Sequence, residues 1–332
     1  MTNARLAFSR DALNINAAET AERIAASIRE MVTKRLRKKG AVVALSGGID
    51  SSVTAALSAG ALGRERVFGL LLPEADSSPD SLRLGRELAE WLGIEYAVED
   101  ITPILEGARC YERRDAAIRS LIPEYGPGWK SKIVLPESAA GSVYPIFSVV
   151  VQSPQGVVRR ARLTVETYLA IVAAVNFKQR TRKMLEYYYA DRLNYAVAGT
   201  PNRLEYDQGF FVKNGDGAAD FKPIAHLYKT QVYALARHLG IPAEIQTRPS
   251  TTDTYSMPQS QEEFYFALPN ELMDLCLYGK NNGVEPALVA PAAGLTVEAV
   301  ERVYAMIDSK RRATRYLHTP ALLVEPVEEP GR

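Results

Sequence analysis

Cysteine and histidine are scarce in this chain. Its 332 residues include two cysteines, Cys110 and Cys276, and three histidines, His226, His238 and His318. Two thiols far apart in sequence exclude a disulfide-rich scaffold, a CxxC pair and a four-thiolate zinc site, and three scattered imidazoles argue against a histidine-rich metal centre. Long apolar runs are missing as well. No stretch approaches the roughly 20 residues that span a bilayer. The amino-terminal MTNARLAFSRDALNIN has no extended hydrophobic segment of the secretory kind. The expectation is a soluble, cytoplasmic protein with no membrane partner. Nor is there an excess of one charge: 40 Lys and Arg face 39 Asp and Glu, a formal net charge of +1. No overall field favours nucleic acid, so such binding would need a local patch. What remains is 47% hydrophobic and 24% charged, the composition of a folded chain able to enclose a substantial core.

The first predicted helix runs from Ala17 to Lys39. Ile24, Ile28, Met31, Val32 and Leu36 form its apolar stripe, Asn16 caps it and Gly40 stops it. The basic run Lys34 to Lys39 suits a helix carboxyl end and is read as solvated. Ala41 to Ser46 is a short apolar run fit for a strand buried on both faces. A helix over Ser52 to Ala61, a strand over Val67 to Leu72, a helix from Pro79 to Leu92 capped by Ser78, and a strand over Glu95 to Ile101 follow. Strand and helix alternate with short connections, which predicts an α/β fold with a doubly wound parallel sheet and flanking helices.

Residues 103–164 break that rhythm and read as an insertion with a β-hairpin, PIFSVVVQ-SPQG-VVRRARLT. Val165 to Leu193 reads as one long helix or two abutting ones, Asn194 to Gly199 as a fourth strand, and Tyr228 to Leu239 and Thr296 to Ile307 as helices. The organisation expected is one domain over residues 1–332, with the insertion at 103–164 and a tail at 313–332.

Ser46-Gly47-Gly48-Ile49-Asp50-Ser51 ends a buried strand and opens a helix. Two glycines let the backbone turn tightly and approach a phosphate, and the helix start offers N–H groups and a positive dipole end. Ser46 and Ser51 add hydroxyls. A carboxylate at Asp50 would repel a bare phosphate, so it makes sense beside Mg²⁺. The loop is neither a Walker A sequence nor GxGxxG. SGGxDS resembles the pyrophosphate-binding loop of the PP-loop ATP pyrophosphatases, which cleave ATP between its α and β phosphates. The fold and an ATP site over Ala44, Leu45, Ser46, Gly47, Gly48, Ile49, Asp50 and Ser51 are what that resemblance implies.

A second constellation follows the fourth strand: Gly199-Thr200-Pro201-Asn202-Arg203-Leu204-Glu205, then GFFVKNGDGAADFKPIAHLYKTQV. It falls at a carboxyl edge of the sheet, where open α/β sheets bind ligands. The order GT-x-N-x-x-E, then KxGDGxxD, then P-I-x-x-L-x-K resembles the NAD synthase signature. The resemblance implies an ATP-dependent ligase that adenylates the carboxylate of deamido-NAD and transfers ammonia to it. Asp50 and Glu205 are then the Mg²⁺ ligands. Thr200 and Lys229 contact ATP, Asp50 and Lys229 carry the catalysis, and Lys213 and Asp220 contact the dinucleotide. Asn176 to Arg182 resembles the family's Asn-x-x-x-Arg-x-Arg, with Arg180 at the substrate. Arg248 to Asp253 resembles its second phosphate loop, with Thr251 or Ser250 on ATP. Lys310-Arg311-Arg312 resembles the basic end, so Lys310 is expected to reach the substrate of a neighbouring subunit.

The resemblance also implies a homodimer, and Tyr187-Tyr188-Tyr189 could serve its interface or the core. Neither cysteine sits as a glutaminase nucleophile would, so ammonia is expected free or from a separate glutaminase. Three departures keep alternatives open: the insertion, the aromatic run Tyr255, Phe264, Tyr265 and Phe266, and Ser309-Lys310 in place of His-Lys. The alternatives are a paralogue amidating another carboxylate, a tRNA-modifying PP-loop enzyme using Arg159, Arg160 and Arg162 with the run Lys34 to Lys39, and an inactive nucleotide-binding regulator. The aromatics read as core and His318 as a surface or capping residue.

Overall fold

The four parallel strands expected from the alternating pattern are present in the computed structural model, which describes residues 8–135, 147–249, 254–259, 265–266 and 268–327. They are β1 (Ala41–Ala44), β2 (Val67–Leu71), β3 (Glu95–Val98) and, far along the chain, β7 (Ala196–Ala198), in the order β3-β2-β1-β7. Val42 lies beside Phe68 on one side and Val197 on the other. β1 is buried on both faces, so its side chains feed two cores. Ala41 and Val43 pack with α1 (Ala17–Arg29), α2 (Ile49–Leu62), α3 (Pro79–Leu92) and α8 (Lys229–His238) through Ile28, Val53, Leu88 and Leu235. Val42, Phe68 and Val197 face the other way, against Leu105 of α4 (Thr102–Gly107), Cys110 of α5 (Cys110–Arg119) and Tyr189 of α6 (Val165–Leu193). Helices on both faces make the sheet doubly wound.

Several boundaries differ from the sequence reading. The first helix is α-helical only to Arg29; a wider helical turn over Glu30–Arg35 follows, and Arg37 adopts φ 53°. Gly40 is therefore not the stop. It sits where an added Cβ would lie 2.2 Å from the Arg66 carbonyl oxygen and 2.6 Å from the Tyr195 ring. The next helix starts at Ile49 rather than Ser52, which brings Asp50 and Ser51 into its first turn. Asn16 and Ser78 cap α1 and α3 as expected, accepting from the Glu19 and Asp80 amides.

Region 103–164 is more regular than the sequence suggested. It supplies nearly all of α4, all of α5 and a three-stranded antiparallel sheet of β4 (Lys130–Val134), β5 (Ser148–Gln152) and β6 (Val158–Arg162), in the order β4-β5-β6. The expected hairpin is β5–β6, with Val150 opposite Arg160. α6 is one continuous helix of 29 residues, about 43 Å long. Its first half packs Ile171 and Val175 on Ile133, Val149 and Val151 of the small sheet, and its second half packs on the parallel sheet.

A further core joins Leu204 of α7 (Arg203–Gln208) and Phe266 to α10 (Asn270–Asn281), α11 (Pro286–Ala293) and α12 (Val297–Thr314). Cys276, Tyr255 and Phe266 are buried, as core residues should be, whereas Phe264 lies outside the described residues. No helix among the described residues is long and apolar enough to cross a membrane.

Candidate active site

β1 runs directly into the glycine-serine loop, and α2 begins at its end. Gly47 has φ +70°, and a Cβ there would lie 2.7 Å from the Ser81 carbonyl oxygen and 3.0 Å from Leu84 Cβ. Only glycine meets both demands. The hydroxyls brace the turn: Ser51 Oγ donates to the Gly48 carbonyl (2.9 Å), Ser52 Oγ to the same oxygen (2.8 Å), and the Gly48 amide donates to Ser46 Oγ (3.3 Å). Arg248 reaches the loop from the far side, donating to the Gly47 carbonyl (3.3 Å) and to Ser81 Oγ (2.9 Å). The result is a fixed turn at a helix start with a guanidinium beside it, a combination suited to an anion.

The second constellation closes on the first. Asn202 caps α7, its Oδ1 accepting from the Leu204 (2.9 Å) and Glu205 (3.2 Å) amides while the Asn202 backbone N–H donates to Glu205 Oε2 (3.1 Å). Asn202 Nδ2 also donates to Asp50 Oδ1 at 3.1 Å. One buried amide thus ties together the two carboxylates 155 positions apart in the chain. Lys229 Nζ donates to Asp50 Oδ2. Lys229 is 1% exposed. Burial opposes its charge, but Asp50 and Glu205 outweigh that and hold its pKa above the ordinary lysine range. The start of α8 is pinned from below by Asp274 of α10, which accepts from the Lys229 (3.2 Å) and Thr230 (2.7 Å) amides. Burial pushes the Asp274 carboxyl up to about 6.

Asp50, Glu205, Arg248 and most of the glycine-serine loop line a cavity of about 740 Å³. Ala44, Leu45, Ser46, Gly48, Ile49, Asp50 and Ser51 line it, as do Thr200 and Glu205. Arg180 and Lys213 line it as well, and Arg180 Nε donates to the Lys213 carbonyl (3.3 Å). Lys213 Nζ in turn donates to the carbonyls of Tyr316 and Thr319, both at 2.8 Å. Two expected site residues turn elsewhere, and Lys229, outside the cavity lining, reaches it only through its bond to Asp50. Asp220 accepts from the Val197 amide (2.7 Å) and the Tyr187 hydroxyl (3.2 Å), beside β7 and outside the cavity lining. Lys310 Nζ donates to the Tyr265 carbonyl within its own chain and stands 4.0 Å from the centre of that ring; burial pushes its pKa down to about 7. Thr251 lies outside the described residues.

Other residues of the site were given no role in the sequence. Asp216 and the Lys183–Glu186 pair (2.6 Å) line the cavity, and burial raises both carboxyls above the ordinary range. The role of Asn202 was readable from its spacing, since Asn three residues before Glu is a capping-box pattern. That of Asp274 was not, because its partners are backbone amides of another helix. Among the described residues no three His, Cys, Asp or Glu side chains gather as a metal cage. Two carboxylates joined through Asn202 beside a loop suited to an anion nevertheless suit Mg²⁺, which takes one or two protein carboxylates and completes its shell with phosphate and water. His318 packs edge-on against Tyr206 and Phe211, at 4.8 and 5.1 Å between ring centres.

Comparison with known proteins places this geometry in context. The sequence model of the family described as NAD synthase matches residues 20–118 and 146–315, leaving 119–145 between the two stretches. The chain is 62% identical over 325 residues to the NH(3)-dependent NAD(+) synthetase of Rhizobium meliloti (strain 1021), covering 98% of this chain and 97% of that one. Among solved structures it resembles NMN synthetase from Francisella tularensis, with TM-score 0.64, 23% identity and coverage of 93% of this chain and 99% of the other. NH3-dependent NAD synthetase from Campylobacter jejuni is similar at TM-score 0.62 and 23% identity, over 94% of this chain and all of the other.

Proposed function

The chain belongs to the NAD synthase family, and on that premise we propose that it is an ammonia-dependent ligase that uses ATP to convert the carboxylate of deamido-NAD into the amide of NAD. The observation that carries the reading is that the glycine-serine loop, Asp50 and Glu205 line a cavity that Arg180 and Lys213 also line, while the buried Lys229 pairs with Asp50.

A carboxylate is a poor electrophile and needs activation. Its oxygen attacks the α-phosphorus of ATP, the bond to the β-phosphate breaks and pyrophosphate leaves. Ammonia then attacks the acyl carbon, AMP leaves, and the amide remains. Such transfers depend mainly on positioning and on stabilising charge. Ser46, Gly47, Gly48, Ile49 and Ser51 hold the departing pyrophosphate, Ala44 and Leu45 lie against the adenine, and Thr200 contacts the nucleotide. Lys229 adds a positive charge that Asp50 and Glu205 hold in place against the cost of burial, so it needs no reorientation during the reaction. Mg²⁺ held by Asp50 and Glu205 supplies neutralisation of the phosphate charge when bound. Arg180 and Lys213 orient the dinucleotide. Asp216, a carboxyl on the cavity wall with a raised pKa, is suited to take the proton that ammonium must lose before it attacks.

Both thiols are buried and pushed up in pKa by burial, Cys276 to about 11, which suits structural residues and not a glutaminase nucleophile. Ammonia therefore comes free or from a separate glutaminase. A homodimer fits the family and the outward-facing Tyr188, Met184 and Leu169 of α6, each more than half exposed. The test is to incubate the protein with ATP, Mg²⁺, ammonium and deamido-NAD and separate the products. Equal amounts of NAD, AMP and pyrophosphate are expected. Carboxylate-dependent ATP cleavage with another acid but none with deamido-NAD would refute the substrate.

A further inference from the structure

A buried charge cluster stands beside the cavity and has no part in the chemistry above. Lys178, on α6, is fully buried. Its Nζ donates to Glu74 Oε1 (2.9 Å) and Asp76 Oδ2 (2.6 Å), both in the turn after β2, and to the carbonyl of Thr254 (2.8 Å). Tyr111 and Arg114 of α5 complete the cluster, the tyrosine hydroxyl donating to Glu74 Oε2 (2.7 Å) and the guanidinium pairing with Asp76. The three acceptors of one ammonium thus belong to two separate loops, and both loops line the cavity, through Pro73 and Ser77 on one side and Thr254 and Tyr255 on the other.

The second of these loops has another anchorage. Residues 256–259 run along the outer edge of β4, the edge left open by the order β4-β5-β6. The Ser131 amide donates to Ser256 Oγ (2.8 Å) and the Met257 amide to the Ser131 carbonyl (3.2 Å). Lys132 Nζ donates to the Pro258 carbonyl (3.3 Å), and Gln259 Nε2 to the Ile133 carbonyl. β4 comes from residues 119–145, the stretch between the two family matches. Between these anchors sits Tyr255, 7% exposed, packed in the core that the small sheet shares with α6.

We propose that Lys178 is a positioning residue that couples the turn after β2 to residues 254–259, and that the antiparallel sheet is a rail holding that segment so that Tyr255 fixes the cavity wall beside α6, the helix that carries Arg180. The coupling sets the affinity for the dinucleotide while the phosphate loop, anchored separately by Arg248, keeps its affinity for ATP. A free cation at this point would cost more than it returned, since buried charges are tolerated only when fully paired. Here the pairing reaches across two loops, so their relative position is fixed by it. The kinetic part of this inference rests on the proposed reaction; the coupling itself does not.

The test uses the double variant Glu74→Gln/Lys178→Met beside Lys178→Met. The double change removes one charge of each sign, so the remaining Asp76–Arg114 pair is balanced and folding is preserved even if the single variant fails. Hydrogen exchange of the peptide carrying Met257 and steady-state kinetics are measured on both. In the double variant the Met257 amide should exchange about tenfold faster, and KM for deamido-NAD should rise about tenfold, the weight of one hydrogen bond to a charged group. KM for ATP, kcat and exchange of the β1 amides should change less than about threefold. Wild-type exchange at Met257, or equal rises in both KM values, would overturn the proposal. Faster exchange in a protein that makes no NAD in any form would refute the reaction and leave the coupling standing.

Discussion

Replacing Asp50 by Asn isolates the centre of the site with almost no change of shape. In the wild type, Lys229 is 1% exposed and its partner's side chain 16%. Removing one partner of such a pair costs about 3–5 kcal/mol, because the other is left charged and out of water. Glu205 still acts on Lys229, so the lower end, about 3 kcal/mol, applies. For a chain of this size that corresponds to a melting temperature lower by about 4 °C. The same substitution removes one of the two proposed metal carboxylates and unsettles the fixed ammonium, and should slow pyrophosphate release by at least about 10²-fold. The double variant Asp50→Asn/Lys229→Met separates the two effects: it should regain most of the lost melting temperature and none of the activity. A melt by differential scanning fluorimetry and a coupled pyrophosphate assay on the same preparations suffice. An Asp50→Asn enzyme that melts like wild type and turns over within tenfold of it would refute the reasoning, for then neither the buried pair nor the carboxylate matters.

Two further expectations follow from the same neighbourhood. Gly47→Ala puts a Cβ 2.7 Å from the Ser81 carbonyl oxygen at φ +70°; strain of about 1–2 kcal/mol and a displaced α3 should raise KM for ATP well beyond that for deamido-NAD, and equal changes in both would contradict the loop's assignment to ATP. Asp274, raised by burial to about 6 from 3.8, keeps a proton in the folded state that the unfolded chain has released between those values. Its contribution to stability is thus full below about pH 4 and is lost as pH rises through about 6, by up to ~3 kcal/mol. Urea denaturation of Asp274→Asn should show the variant gaining on wild type from pH 4.5 to pH 7, and a difference independent of pH would show that the carboxyl does not titrate as its burial dictates.

What could be read from the sequence was whatever is written in consecutive residues. Ala41 to Ala44 is apolar throughout because a central parallel strand is buried twice, and the loop after it is recognisable because glycine, serine and a helix start coincide. Asn16 and Ser78 announced their helices by local chemistry. α5 escaped notice for the opposite reason. Its buried stripe is Cys110, Arg114 and Ile118, and a buried arginine looks like surface until Asp76, 38 residues earlier, is known to meet it. Lys178 and Glu74 are illegible in the same way, since each reads as exposed charge alone. β4 paired with a strand across residues 136–146 and with residues 256–259, contacts that leave no local period. Lys310 and Asp220 were assigned by motif order alone, which conveys neighbours in sequence and not the direction in which a side chain turns.

The unbroken course of α6 has a consequence for how this protein can vary. One end of the helix is keyed into the antiparallel sheet and the other into the parallel one. Deleting a single residue midway would swing one end by about 100° and draw it in by about 1.5 Å relative to the other. Arg180 and Lys178 would leave the places described for them although every strand kept its sequence. Changes of length are tolerable at the β5–β6 turn, Ser153 to Val157, where nothing downstream is rotated; within the long helix they are not, and its residue count is in effect a dimension of the substrate cavity.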